Sequence, residues 1–116
     1  RFPGFYLTDS GFEIEHRVDS AEEIASIIKA RSQVSTSNHA LIVTNPVEKQ
    51  MDKVRHDEIL ATGMANAARD GIDGKYVTPY LLEHFHTASK GESLAINTEI
   101  IKSNCALAAD IAMALK

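Results

Sequence analysis

The chain has 116 residues, 44% of them hydrophobic and 24% charged, with a formal net charge of −4. That balance is too apolar for a disordered segment, and the length suits one compact domain and argues against two. Lys and Arg are interspersed with acidic residues, so the basic face that nucleic acid requires is missing, and no apolar run approaches the ~20 residues of a membrane span.

Residues 1–10 lack the basic-then-apolar layout of a secretory signal. The single cysteine, Cys105, excludes an internal disulfide and fits a reducing compartment. Its neighbours are apolar, so it reads as a buried small residue.

Residues 1–18 combine aromatics with turn formers, Phe2-Pro3-Gly4-Phe5-Tyr6 and then Asp9-Ser10-Gly11, and predict short extended pieces joined by turns. Ser20 and Glu23 make a capping box that opens a helix, in which Ile24, Ile27 and Ile28 form one apolar stripe. The polar run 32–38 ends it.

Residues 40–44, Ala-Leu-Ile-Val-Thr, are a short β-branched run stopped by Asn45-Pro46. Their lack of alternation suits a strand covered on both faces, as in a parallel sheet. A strand needs neighbours to satisfy its backbone, and this is the only strong strand signal in the chain. Its partners are expected in sequence outside this chain.

A second helix is expected from His56 or Asp57 to Asp70, with Ile59, Leu60, Met64, Ala67 and Ala68 inward and Gly71 as its C-terminal cap. After the loop 72–75, Thr78 and Pro79 predict the N-cap and first residue of a third helix. Leu81, Leu82 and Phe85 form its buried side, and Gly91 ends it. The last helix is expected from Ser93 to Leu115.

On that last helix Leu94, Asn97, Ile101, Asn104, Ala108, Ile111 and Leu115 recur three and four apart and share one face, opposite Glu99, Lys102, Ser103 and Asp110. Two asparagines thus fall where a core-facing helix should be apolar. Burying an amide without partners costs roughly 1–3 kcal/mol. Asn97 and Asn104 therefore either bond neighbouring backbone and tie helices together or point into a ligand pocket, and periodicity does not decide between these. Thr78 is a cap in the plain reading, and a helix N-terminus can also face an anion.

His84 and His86 are two residues apart, a spacing that places them on different helix sides and argues against a shared metal. Gly71 and Gly74 lack the preceding strand and following Lys-Ser/Thr of a phosphate loop. No motif fixes a nucleophile.

Several ordered blocks then carry a resemblance. They are Phe2-Pro3-Gly4-Phe5-Tyr6, Asp9-Ser10-Gly11-Phe12, Arg17 through Ile24, Thr44-Asn45-Pro46-Val47 and Gly71 through Lys75. Val77 through Leu82, Gly91 through Asn97, and Ile100, Ile101, Asn104, Cys105-Ala106 and Ala108-Ala109 continue the series. Together the chain resembles, over nearly its whole length, the pseudouridine 5′-phosphate glycosidases, also called the indigoidine synthase A family. It departs in having Ser103-Asn104 for two adjacent asparagines, Tyr80 for Phe, and Thr44 where Ala often precedes Asn-Pro.

The resemblance implies an α/β fold, a three-layer α/β/α sandwich of which this fragment is the mostly helical C-terminal portion. Residues 1–116 would belong to a single domain whose N-terminal portion lies outside this sequence. The implied reaction is reversible cleavage of the C–C glycosidic bond of pseudouridine 5′-phosphate to uracil and ribose 5-phosphate. In that family a lysine forms an imine with the opened ribose, an aspartate helps hold a divalent metal, typically manganese, and a glutamate near the N-terminus moves protons.

All of these are expected upstream of Arg1, so no catalytic residue and no metal ligand is assigned to this chain. Asn97 matches a family asparagine at the base and sugar, and Thr78 and Asn104 match nearby positions; these three are the expected substrate-binding residues. The implied partners are the small-molecule substrate, the remainder of the enzyme and a homotrimer, with no nucleic acid or membrane, in the cytoplasm, organellar targeting being left open. The alternative is a non-catalytic fragment or truncated paralogue that acts as an interaction module.

Overall fold

The computed structural model describes residues 1–34 and 39–116. The elements in chain order are α1 (Ala21–Gln33), α2 (Lys53–Arg69), a 3-10 turn (Gly74–Tyr76), α3 (Val77–Ala88) and α4 (Glu92–Ala114). Helix α1 lies against α4, α2 against α3, and α3 against the start of α4.

The described part is mostly helical and contains no strand beyond an isolated antiparallel bridge between Gly4 and Leu7. Residues 40–44, expected as a strand, have no regular structure. Leu41, Ile42 and Val43 are exposed, Ile42 to 80%. The reason is the one the sequence raised: an extended run without a neighbour has nothing to close its ladder. Within the polar run 32–38, residues 35–38 lie outside the described residues.

The molecule is elongated, 50 × 27 × 21 Å with a radius of gyration of 17.2 Å, where a compact domain of this length has about 13 Å. Its accessible surface is 8470 Å² for 12.7 kDa, against about 6,200 Å² for a compact monomer of that mass. These residues alone are thus less compact than a single domain of their length. Too little of the apolar surface finds a covering layer.

The local signals were mostly followed. At α1 the Ser20 hydroxyl accepts from the Glu23 N–H at 3.2 Å, while the Glu23 carboxylate accepts from Asp19 N–H at 2.7 Å, one residue before the expected partner. Helix α2 starts earlier than its apolar stripe suggests, because the Asp52 carboxylate accepts from Arg55 N–H at 2.9 Å. At its other end Gly71 adopts φ +69. Gly71 N–H then donates to Ala68 O and Ile72 N–H to Ala67 O, a Schellman closure that leaves few orphan carbonyls.

Helix α3 differs at its start. The 3-10 turn runs directly into Val77, so Tyr76 occupies the cap position and Thr78 lies inside the first turn. Pro79 is still accommodated, since an opening turn has no intrahelical acceptor for its missing N–H.

The core joins Tyr6, Val47, Met51, Ile59, Phe85 and Ile96, with Leu60 and Ile100 packed against it. Met51 is wholly buried, and its N–H donates to Tyr6 O at 2.9 Å. The Thr8 hydroxyl donates to Val47 O at 3.2 Å, so the N-terminal segment is sewn to residues 47–51. Helices α2 and α3 approach closely at Gly63, where a Cβ would meet His84 Cδ2 at 2.7 Å and Leu81 Cδ2 at 2.9 Å. Met64 and Ala68, expected inward on α2, are exposed.

The largest correction concerns α4. Its buried residues are Ser93 and Ile96, with Ile100, Leu107 and Ile111 partly covered. The stripe expected inward leaves Leu94 and Ile101 more than half exposed, at 56% and 58%, and Asn104 and Ala108 exposed as well. Cys105, expected buried, is exposed on the same side. Apolar residues occupy both sides of this helix, so the spacing did not fix which side meets the rest of the chain.

Candidate functional site

Two concavities flank α4. The first is a broad groove of about 1210 Å³ between α4 and residues 45–50. Here the Asn45 side-chain amide donates to Ser103 Oγ at 2.9 Å and to Asn104 Oδ1 at 3.0 Å. Asn104 thus ties a loop to a helix. The groove mixes Lys49 and Lys102 with Glu48, Glu92 and Glu99, and Lys102 Nζ is already engaged by Glu99 at 2.8 Å.

The second is a smaller cleft of about 430 Å³ between the N-terminal segment, α3 and α4. Tyr6, Ser93 and Asn97 supply its polar groups, and Pro79, Leu82 and Leu94 its apolar wall. Glu83 and His86, on α3, stand at its exposed edge. Asn97 is half-buried, and among the described residues no protein group hydrogen-bonds its amide.

Tyr6 reaches the cleft because Phe85 and Phe5 clamp its ring, with centroids at 5.0 and 4.7 Å. Burial raises the Tyr6 phenol above its ordinary pKa, and the hydroxyl of Ser93 facing it offsets part of that rise. Ser93 is held one turn before Asn97 by its own N–H, which donates to Ser89 Oγ at 3.0 Å.

The three expected binding residues are therefore not brought together. Asn97 lines the smaller cleft, Asn104 lies two turns further along α4 in the other groove, and Thr78 is exposed beside cleft-lining Pro79 without lining either cavity. Tyr6, Ser93 and Glu83 were not singled out as site residues from the sequence, and His86 was weighed only as a metal ligand. Ser93 carried a usable signal, since a serine four residues before Asn97 on a helix shares its face. Tyr6 carried none, because only the tertiary fold brings it there.

His84 and His86 do diverge as their spacing implied. His84 turns toward Gly63 on α2, where its Nε2 is buried without a hydrogen-bond partner, and His86 faces the cleft. Among the described residues no group of three or more His, Cys, Asp or Glu side chains could hold a metal ion. The described residues therefore offer no ligand set for the divalent ion that the resemblance implies. Among the same residues no helix is long and apolar enough to cross a membrane.

The described residues thus define a helical layer with a cleft between α3 and α4 that holds polar groups, and comparison with known proteins adds the family. Residues 1–114 match the family described as indigoidine synthase A like protein, and the chain belongs to that family. It is 48% identical to a pseudouridine-5'-phosphate glycosidase of Salinispora tropica over 116 residues, which is 98% of this chain and 36% of that protein. It is 42% identical to the protein of the same name from Saccharopolyspora erythraea, over 99% of this chain and 38% of that protein. A third protein of that name, from Symbiobacterium thermophilum, is 42% identical over the whole chain and 38% of its own length. The chain thus spans less than two-fifths of each of these three relatives.

Proposed function

We propose that this chain is the C-terminal portion of a single-domain pseudouridine 5′-phosphate glycosidase and supplies one wall of its pocket. The observation that carries the reading is Asn97, an amide without a protein partner in a cleft, in a chain whose named relatives share that activity. The elongated shape, the uncovered residues 41–43 and the bare apolar side of α4 support a place within a larger α/β/α sandwich. The relatives' common name favours the enzyme over a docked, non-catalytic module.

A C–C bond to a pyrimidine has no good leaving group. If the C1′–O4′ bond breaks, with O4′ taking a proton, and a lysine amine bonds C1′ and loses a proton, the nitrogen lone pair can form an imine as the C–C bond to the base breaks. The departing uracil carbon takes a proton, and water hydrolyses the imine to ribose 5-phosphate and the free lysine. That lysine, the proton-moving glutamate and the ligands of a divalent ion, manganese by resemblance, are assigned to residues outside this chain. The work of this chain is to bind and orient. Asn97 offers one acceptor and two donors to the base or sugar, and Thr78 and Asn104 are assigned outlying contacts. A homotrimer in the cytoplasm belongs to the same proposal.

The test is uracil release from pseudouridine 5′-phosphate by the full-length protein with a divalent metal. Asn97→Ala should lower kcat/KM by about 100-fold, because a site built to bond a polar ligand loses both partners' bonds. Its melting temperature should hardly change. Wild-type turnover in that variant would remove Asn97 from the site, and an inactive wild type would remove the reaction.

A further inference from the structure

The Asn97 cleft contains a second polar feature that the substrate reading leaves unused. Tyr6 and Ser93 are almost wholly buried, at 4% and 1% exposure, yet both line the cleft. Ser93 stands close enough to the Tyr6 phenol to offset part of the pKa rise that burial causes. Among the described residues neither hydroxyl has any other hydrogen-bond partner.

Two neighbouring hydroxyls contain two O–H donors, and a bond between them would use only one. The other donor and the remaining lone pairs stay available at the cleft floor. Buried polar groups are ordinarily satisfied, so groups left open toward a cavity point to a ligand. Asn97, one turn beyond Ser93, adds its amide to the same floor.

Charge narrows the ligand. Among the described residues no Lys or Arg lines the cleft, and the Glu83 carboxylate stands at its edge. A phosphate would meet that carboxylate without a compensating cation. Pro79, Leu82 and Leu94 offer instead apolar lining for a neutral ring.

We propose that Tyr6 and Ser93 form, with Asn97, the base-recognition end of the pocket, taking a neutral planar heterocycle with alternating donors and acceptors. The inference rests on the reading that Asn97 faces the substrate. It adds that Tyr6 and Ser93 are specificity-determining residues acting on the base half, while the phosphate half is bound elsewhere.

The test uses the full-length protein in the synthetic direction, where the two halves of the substrate are separate. The KM values for uracil and for ribose 5-phosphate are measured for Tyr6→Phe, Ser93→Ala and Asn97→Ala, with uracil titrated calorimetrically as a check independent of turnover. Tyr6→Phe keeps the ring packing and Ser93→Ala the volume, so each removes little but a hydroxyl. Each should raise the uracil KM by about tenfold, one hydrogen bond's equivalent, and leave the ribose 5-phosphate KM unchanged. Unchanged values for both substrates, or equal rises in both, would overturn the role of Tyr6 and Ser93. If Asn97→Ala still raises the uracil KM, the substrate reading survives that result. If Asn97→Ala also has no effect, or the wild type neither turns over nor binds uracil, the underlying reading fails and this inference fails with it.

Discussion

Arg55 on α2 joins two helix ends, donating from Nη1 to Glu92 Oε2 at 2.5 Å and from Nη2 to Ser89 O at 3.0 Å. Ser89 closes α3 and Glu92 opens α4. The cation thus sits at the negative end of one helix and the carboxylate at the positive end of the next, where both charges are favourable. Both side chains are only partly covered, so the pair is worth less than a buried one. Arg55→Ala should lower stability by about 1 kcal/mol, read by urea denaturation. The loss should shrink in high salt, which screens partly exposed charges.

Gly63 allows α2 and α3 to approach. Gly63→Ala gains about 1 kcal/mol of helix propensity but forces a Cβ to within 2.7 Å of His84 Cδ2 and 2.9 Å of Leu81 Cδ2. Overpacking costs about 1–3 kcal/mol, so a net loss is expected in thermal melts. His84→Ala in the same chain should recover part of that loss by removing one of the two obstructing side chains. A non-additive double-mutant cycle is the expected signature.

Thr78 and Asn104 should contribute less to turnover than Asn97. Each replacement by alanine is expected to reduce kcat/KM about fivefold, near the worth of one hydrogen bond. Asn104→Ala should also loosen residues 45–50, because its carbonyl oxygen accepts from Asn45. Hydrogen exchange of that loop would detect the change, and Thr78→Ala should leave it unaltered.

Alkaline pH should destabilise the fold through two phenols. Tyr6 is raised above its ordinary value of 10.0 chiefly by burial, and Tyr80 by the Asp70 carboxylate that accepts its proton at 2.8 Å. A raised folded value contributes stability that is complete below the unfolded value and is lost as pH rises through the folded one. Denaturant midpoints should therefore fall as pH climbs through and beyond 10.0. Tyr6→Phe should remove the Tyr6 part of that slope. On the acid side Asp70, lowered mainly by Arg69 and then by Tyr80, contributes above its ordinary 3.8 and loses that contribution as pH falls through its depressed value.

Local signals in this sequence were enough for the helices and several of their ends. Ser20 with Glu23 and Gly71 after Asp70 encode hydrogen bonds between residues a few positions apart, and such bonds form in the same way in any tertiary setting. Asp52 could have been read likewise, but the apolar stripe of α2 begins later and drew its start toward His56. The run 40–44 predicts a strand, but it has no regular structure here, because pairing depends on neighbours that a local signal does not supply.

What only the tertiary structure decided was phase and convergence. Helix α4 has Ile96, Ile100 and Leu107 on one side and Leu94, Ile101 and Cys105 on the other. Periodicity gives the spacing of such residues but not which side is covered, because coverage depends on elements distant in the chain. For the same reason Asn97 and Asn104, equivalent in the helical pattern, part company: Asn104 meets Asn45, while Asn97 stays unpartnered beside Tyr6 and Ser93. The sequence by itself determined that two amides lie on one helix face. Long-range packing, which brings Tyr6 from the other end of the chain onto Phe85, determined which of them remains open to a ligand.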